Sequence, residues 1–262
     1  MLAHDLVEAF GANRLLTYAS AVAFRVLVAL IPLALLGIAL LGALGQQHVW
    51  TDTLGPPIEH RVLPQVWSGV NATVEQIFRT GGWVLIAFAI VLSIWDLSSA
   101  VRACGSGLNE VRATRDHRPT WLRFGVSIAL AVAVIVLIVG AALLLTAGAH
   151  VAHSVGGAGG YAISVVRWAA AVVLLGLAVG LVVRFAPYDA PSTQWVSAGT
   201  VLIVGVWLVT SLVFRWFVAS VANYRSGPGV LAAFLVLTTY VYTSSIIFMV
   251  GIQLDDLLRA EG

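Results

Sequence analysis

The sequence predicts an all-α membrane protein: six transmembrane helices, short amphipathic interfacial helices, and both termini in the cytoplasm. Two observations carry that class. Six long apolar runs, nearly free of charge, are separated by short polar gaps, and the 262 residues are 60% hydrophobic and 10% charged. About 20 apolar residues cross the hydrocarbon of a bilayer. Backbone groups in lipid must be bonded internally, which leaves helices or a closed barrel. Barrel strands alternate apolar and polar residues over about 10 positions, whereas residues 129–145 are apolar on every side. The runs place spans at about 16–44, 80–97, 124–148, 160–183, 194–217 and 228–254. The gaps are too short for a soluble domain of ~50 residues or more, so residues 1–262 read as one polytopic domain.

The start of the chain lacks the basic n-region of a cleaved signal, so the first span is expected to be retained. Leu2, Leu6 and Phe10 form an amphipathic stripe before it. Pro32 lies inside the first span and frees a carbonyl near Val28, which shapes the helix or makes a hinge. In the next gap Val62, Leu63, Val66, Trp67, Val70, Val74, Ile77 and Phe78 recur at three- and four-residue steps. Pro64 suits the first turn of that amphipathic helix. After the second span, Val101, Cys104, Leu108 and Val111 make a third stripe. These stripes serve packing or the membrane interface, or else gating and partner binding. Trp83, Trp95, Trp121 and Trp195 stand near span ends, as interfacial aromatics do.

The fourth span carries Gly176 and Gly180 in a GxxxG spacing that suits close helix packing, within one chain or between two copies. It closes on Arg184-Phe185-Ala186-Pro187. The sixth opens on Gly227-Pro228-Gly229, just after Asn223-Tyr224. Pro32, Pro187, Asn223, Tyr224 and Gly227 are therefore the hinge and turn candidates. A polar band runs from Thr238 to Ser245, and Thr238, Tyr242 and Ser245 share one helical face. That face lines a hydrated path or bonds to its own and neighbouring helices.

All fourteen basic residues are Arg. Codon usage explains such a bias, and so does anion binding, because guanidinium grips phosphate through two parallel bonds. Five Arg (102, 112, 115, 118 and 123) fall between residues 98 and 123, and none between 150 and 159. The positive-inside tendency puts the first gap, and with it both termini, in the cytoplasm. Arg25 would then lie about 13 Å deep at ~1.5 Å per residue, with Asp96 as its natural counter-ion. Intramembrane charges are functional candidates, so Arg25, Asp96, Thr238, Tyr242 and Ser245 are the substrate-path candidates, against a purely structural pair or a snorkelling Arg25.

A net charge of +2 implies no nucleic-acid partner, and the lone Cys104 forms no intrachain disulfide. There is no Walker loop, HExxH or GxSxG. His150 and His153 lack a neighbouring carboxylate or thiol. No catalytic set, metal or cofactor is expected, and the chain reads as a non-enzyme.

Four segments in order resemble one family: residues 23–32 ending in Ile31-Pro32, Trp95 through Gly107-Leu108-Asn109-Glu110, the Arg184–Pro187 turn, and Asn223-Tyr224 followed by a polar-aromatic helix ending in residues 251–255. Over about residues 10–258 the chain is similar to the YihY/BrkB family of bacterial inner-membrane proteins, once labelled ribonuclease BN. The resemblance implies six spans, cytoplasmic termini and residence in the bacterial cytoplasmic membrane. It also implies a link to export of a lipopolysaccharide precursor or to resistance to host killing, the ribonuclease label being regarded as mistaken. The chain departs from the family pattern at Arg25, where an aromatic is common, and at Gln253, where Glu is common; Asp255 or Asp256 would have to substitute. The expected function is transport or translocation of an anionic lipid or amphiphile, the alternative a non-transporting membrane scaffold. The expected partners are membrane lipids and a second copy packed through Gly176 and Gly180.

Overall fold

The computed structural model describes residues 11, 14–80, 83–188, 198–220 and 227–260. Every regular element among them is helical. In order they are α1 (Leu15–Ala43), a π-helical turn (Val49–Leu54), α2 (Gly55–Glu59), α3 (Pro64–Thr80), α4 (Trp83–Val111), α5 (Thr120–Val155), α6 (Gly157–Phe185), α7 (Ala198–Ser220) and α8 (Gly227–Ala260). Six are long and apolar enough to cross a membrane: α1, α4, α5, α6, and the stretches Val201–Val218 of α7 and Leu231–Leu257 of α8.

The helices alternate in direction. One buried cluster joins Leu15, Ala19 and Val22 from the start of α1 to Leu108 and Val111 from the end of α4. The same cluster takes Val183 from the end of α6, Ile203 from the start of α7, and Met249 and Ile252 from the last third of α8. This is the terminal end of the bundle, where α1 begins and α8 finishes; the other is the distal end. A second cluster, Leu97, Ala100, Ala131, Val134 and Ala178, binds the α5–α6 hairpin to α4. Helix α1 packs most extensively on α4 and then on α8, while α7 leans on α8. Outward faces carry large apolar side chains, among them Ile31, Val91, Val136, Val166 and Leu212. In water such a surface would drive aggregation; in hydrocarbon it costs nothing.

Two elements differ from the sequence reading. The stripe Val101–Cys104–Leu108–Val111 is no separate helix but the last three turns of α4. No proline interrupts that stretch, and its small residues allow close approach. A methyl on Gly107 would come within 3.0 Å of Met249 Sδ and 3.3 Å of Tyr18 Cβ. One on Gly105 would meet the Ala186 carbonyl at 3.0 Å. The polar residues there line helix contacts instead of an interface with water. Between α1 and α3 the chain also makes a π-helical turn and the short α2, neither legible in the sequence.

The helix beginning at Pro64 forms over Pro64–Thr80. Its apolar stripe buries Val74 and folds back on the distal end of α1, where Phe78 covers Gly42. Trp50 fastens the π-helical turn to it. The Trp50 and Trp67 rings stack with centroids 5.9 Å apart, and Trp50 Nε1 donates to Asn71 Oδ1 at 3.0 Å. Helix α1 continues through the buried Pro32 without interruption.

Candidate functional site

At the terminal end, polar side chains are spent on holding helices together. Arg102 of α4 donates from Nη1 to Ser98 Oγ and to Ser127 Oγ, both at 3.0 Å, and its guanidinium lies 4.4 Å from the centre of the Phe124 ring. Arg118, in the α4–α5 loop, donates from Nη2 to the carbonyls of Pro187 at 2.8 Å and Tyr188 at 3.2 Å. The Tyr188 N–H donates to Asn109 Oδ1 at 2.9 Å. Asp116 accepts the Arg118 N–H at 3.0 Å and faces Arg123 Nε at 3.6 Å. The crevice among these groups has a volume of ≈ 10 Å³, and its neighbour beside Arg112, Gly199 and Asp255 ≈ 0 Å³. Ten cubic ångströms is about one water. This network is a clamp fixing the α4–α5 loop to the end of α6, with no room for a substrate.

The distal end is open. A cleft of ≈ 680 Å³ lies between α7 and α8, lined by Ser211, Phe214, Arg215, Val218, Ala233, Val236, Leu237 and Tyr240, with Arg61 reaching it from the segment after α2. That is within the ~300–1,000 Å³ of ligand pockets. Its floor is a hydroxyl pair: Ser211 Oγ and Tyr240 Oη are 2.8 Å apart, and Phe214 meets Tyr240 edge-on at 5.2 Å. One turn further in, Trp207 Nε1 donates to Ser244 Oγ at 3.0 Å. Ser211 is nine residues from the end of α7, so the cleft extends about 13 Å down the helix pair from its distal rim. Arg61 and Arg215 are exposed, and among the described residues no acidic side chain lines the cleft. The arrangement offers two cations and an apolar wall to an anion with a hydrocarbon part.

The sequence-predicted residues lie elsewhere. Arg25 is exposed on α1 and Asp96 half-buried on α4. Among the described residues no ion pair joins them. Arg25 stands three residues after the buried Val22 and four before the buried Ala29, and Asp96 three after Ser93 and four before Ala100, so each keeps the spacing of its helix's buried stripe. Thr238 Oγ1 donates to the Phe234 carbonyl and Ser245 Oγ to the Val241 carbonyl, both within α8. Tyr242 packs on the terminal cluster. Pro187 is buried in the clamp, and Gly227 opens α8. Asn223 and Tyr224 lie outside the described residues. A methyl on Gly176 would meet nothing within 4 Å, so among the described residues no other helix closes on that position. Asp255 is buried near the end of α8, and its Oδ1 accepts the Gly199 N–H at 3.4 Å, at the start of α7. Sequence reasoning missed Arg61, Ser211, Arg215 and Tyr240. Their signal was the face Ala233–Leu237–Tyr240–Ser244 of α8 matched to Trp207–Ser211–Phe214–Val218 of α7.

The sequence matches the family described as Virulence factor BrkB over residues 6–261. The chain belongs to the BrkB family. A relative in Bacillus subtilis (strain 168), named "Putative ribonuclease-like protein YfkH", is 26% identical over 215 residues, covering 80% of this chain and 78% of that protein. No solved structure matches the chain. Among the described residues of this BrkB-family chain, no three His, Cys, Asp or Glu side chains converge as a metal site would require.

Proposed function

We propose that this BrkB-family protein translocates an anionic lipid or amphiphile, with the α7–α8 cleft as its binding site and with no catalytic activity of its own. The observation that carries the reading is the cleft of ≈ 680 Å³ with Arg61 and Arg215 and an otherwise largely apolar lining. Guanidinium recognises phosphate and carboxylate, and the wall of Val218, Ala233, Val236 and Leu237 accommodates an acyl chain. The ≈ 10 Å³ crevice within the terminal clamp supports a carrier open at the distal end. In this reading the protein resides in the bacterial cytoplasmic membrane, the Arg-rich α4–α5 loop and both termini face the cytoplasm, and the cleft faces outward.

The experiment is reconstitution of the full chain into liposomes with fluorescent short-chain phosphatidylglycerol or phosphatidylcholine, followed by dithionite quenching of the outer leaflet. Faster exposure of inner-leaflet phosphatidylglycerol than in protein-free vesicles, exceeding any effect on phosphatidylcholine, supports translocation. Equal rates with and without protein sink it and leave the scaffold reading.

A further inference from the structure

A second cleft opens at the distal end between α5 and α6, away from the α7–α8 site. Its volume is ≈ 550 Å³, and Ala149, His153, Tyr161, Ser164 and Arg167 line it together with a run of small residues. The hairpin turn at its mouth is made by Gly156 and Gly157, with φ of 63° and 54°, a region where a side chain would be strained. The N-terminus of α6 has no side-chain cap.

Arg167 stands ten residues into α6, about 15 Å of helix from its start. It does not snorkel to the rim. Its stem packs on Gly148, where a methyl would meet Arg167 Cδ at 3.2 Å, and Nη1 donates to the Leu145 carbonyl at 3.1 Å. Nε is buried with no hydrogen-bond partner. From residue 117 to 188 the sequence contains no Asp or Glu, so the hairpin supplies no counter-ion. A cation held at membrane depth, with an unmet donor and no carboxylate, is costly unless an anion joins it.

We infer that the α5–α6 cleft is an anion site that takes one oxyanion group of the phosphate, sulfate or carboxylate class. Arg167 is the charge partner, and Ser164, Tyr161 and His153 are further hydrogen-bond donors. The group arrives either as a free anion or as the headgroup of an amphiphile, and the chemistry of recognition is the same.

The test is thermal unfolding of the purified full chain in neutral detergent, titrated separately with inorganic phosphate, dihexanoyl phosphatidylglycerol and dihexanoyl phosphatidylcholine. Stabilisation is expected from phosphate or from the phosphatidylglycerol, and not from the phosphatidylcholine. A response to phosphate assigns a small-anion site; a response to phosphatidylglycerol alone assigns a headgroup site. Arg167→Gln should weaken the response at least tenfold, and Tyr161→Phe or Ser164→Ala about threefold. Ala149→Phe fills the cleft from an exposed position while keeping every charge; on an Arg61→Gln/Arg215→Gln background, which removes the charges of the α7–α8 cleft, it should abolish the response even if Arg167→Gln proves too unstable to purify. No stabilisation by either anionic probe, an equal response to phosphatidylcholine, or an undiminished response in Ala149→Phe on that background would overturn the assignment.

Discussion

Ser211 Oγ and Tyr240 Oη are 2.8 Å apart and tie α7 to α8 at the floor of the distal cleft. Ser211 Oγ is also 2.7 Å from the Trp207 carbonyl, to which it donates. Tyr240 Oη is therefore the donor to Ser211 Oγ, since the single hydroxyl proton of Ser211 is already spent. Interhelical hydrogen bonds in membranes average ~0.6 kcal/mol and reach ~1.7. Tyr240→Phe and Ser211→Ala should each destabilise the protein by about 1 kcal/mol. Their coupling in a double-mutant cycle should be about 0.5–1.5 kcal/mol, read by steric trapping in bicelles. Strict additivity would mean that the hydroxyls do not meet in the membrane.

The clamp predicts a larger effect at the terminal end. Arg118 Nη2 holds two carbonyls of the Pro187-Tyr188 turn, and its guanidinium lies over the Tyr188 ring, 5.6 Å from its centre. Hydrogen bonds to a charged group contribute about 1.5–3 kcal/mol. Arg118→Met should lower the unfolding free energy by about that much and speed proteolysis of the α4–α5 loop. Asn109→Ala, which leaves the Tyr188 N–H without its acceptor, should cost about 1–2 kcal/mol. Limited trypsinolysis and thermal unfolding in detergent read both. An Arg118→Met protein as stable and protease-resistant as the parent would show that the clamp is ornamental.

Packing at Gly107 yields a third expectation. The methyl of Gly107→Ala approaches Met249 Cε at 2.8 Å, a flexible end that can move, but also Tyr18 Cβ at 3.3 Å, which cannot move without α1. Overpacking costs ~1–3 kcal/mol. Gly107→Ala should sit at the low end of that range and Gly107→Val at or above the top. Relief of the alanine variant by Met249→Ala, measured by thermal unfolding, would identify the contact. No relief would place the strain against α1.

The spans were legible because hydropathy reports the solvent directly, and the helix Pro64–Thr80 because its stripe and its N1 proline agree. The extension of α4 was not. Ser98, Ser99, Arg102, Ser106 and Asn109 read as a departure into water, yet all five are buried or half-buried among helices. Polarity cannot separate exposure from a polar helix contact. The distal cleft was hidden for a related reason. Tyr240 and Tyr242 sit two residues apart, about 200° around α8, and composition does not say which one meets α7. That choice is made by packing between distant parts of the chain.

Orientation has its own test. On a Cys104→Ala background, Ser154→Cys at the distal end should react with a membrane-impermeant maleimide in intact cells. Thr120→Cys, exposed at the start of α5, should react only after lysis. The reverse pattern would turn the proposed topology over and place the α7–α8 cleft on the cytoplasmic side.

The charges of that cleft give the last expectation. Arg61 and Arg215 are exposed at its rim. A basic residue near an anionic headgroup contributes about 1 kcal/mol, roughly a fivefold change in occupancy at ~1.4 kcal/mol per tenfold. Arg61→Gln and Arg215→Gln should therefore each slow phosphatidylglycerol translocation several-fold, and the double variant about twenty- to thirtyfold. Phosphatidylcholine rates should move little. Because both cations are exposed, salt screens them: the Debye length falls from ~10 Å at 0.1 M to ~3 Å at 1 M. Raising salt should erode the preference of the parent protein for the anionic lipid and leave the double variant unchanged. Thermal unfolding controls for folding, since removing two unpaired rim charges should cost little stability. If the double variant keeps its full preference at low salt, the rim arginines do not select the substrate, and the selecting charge must be sought elsewhere in the bundle.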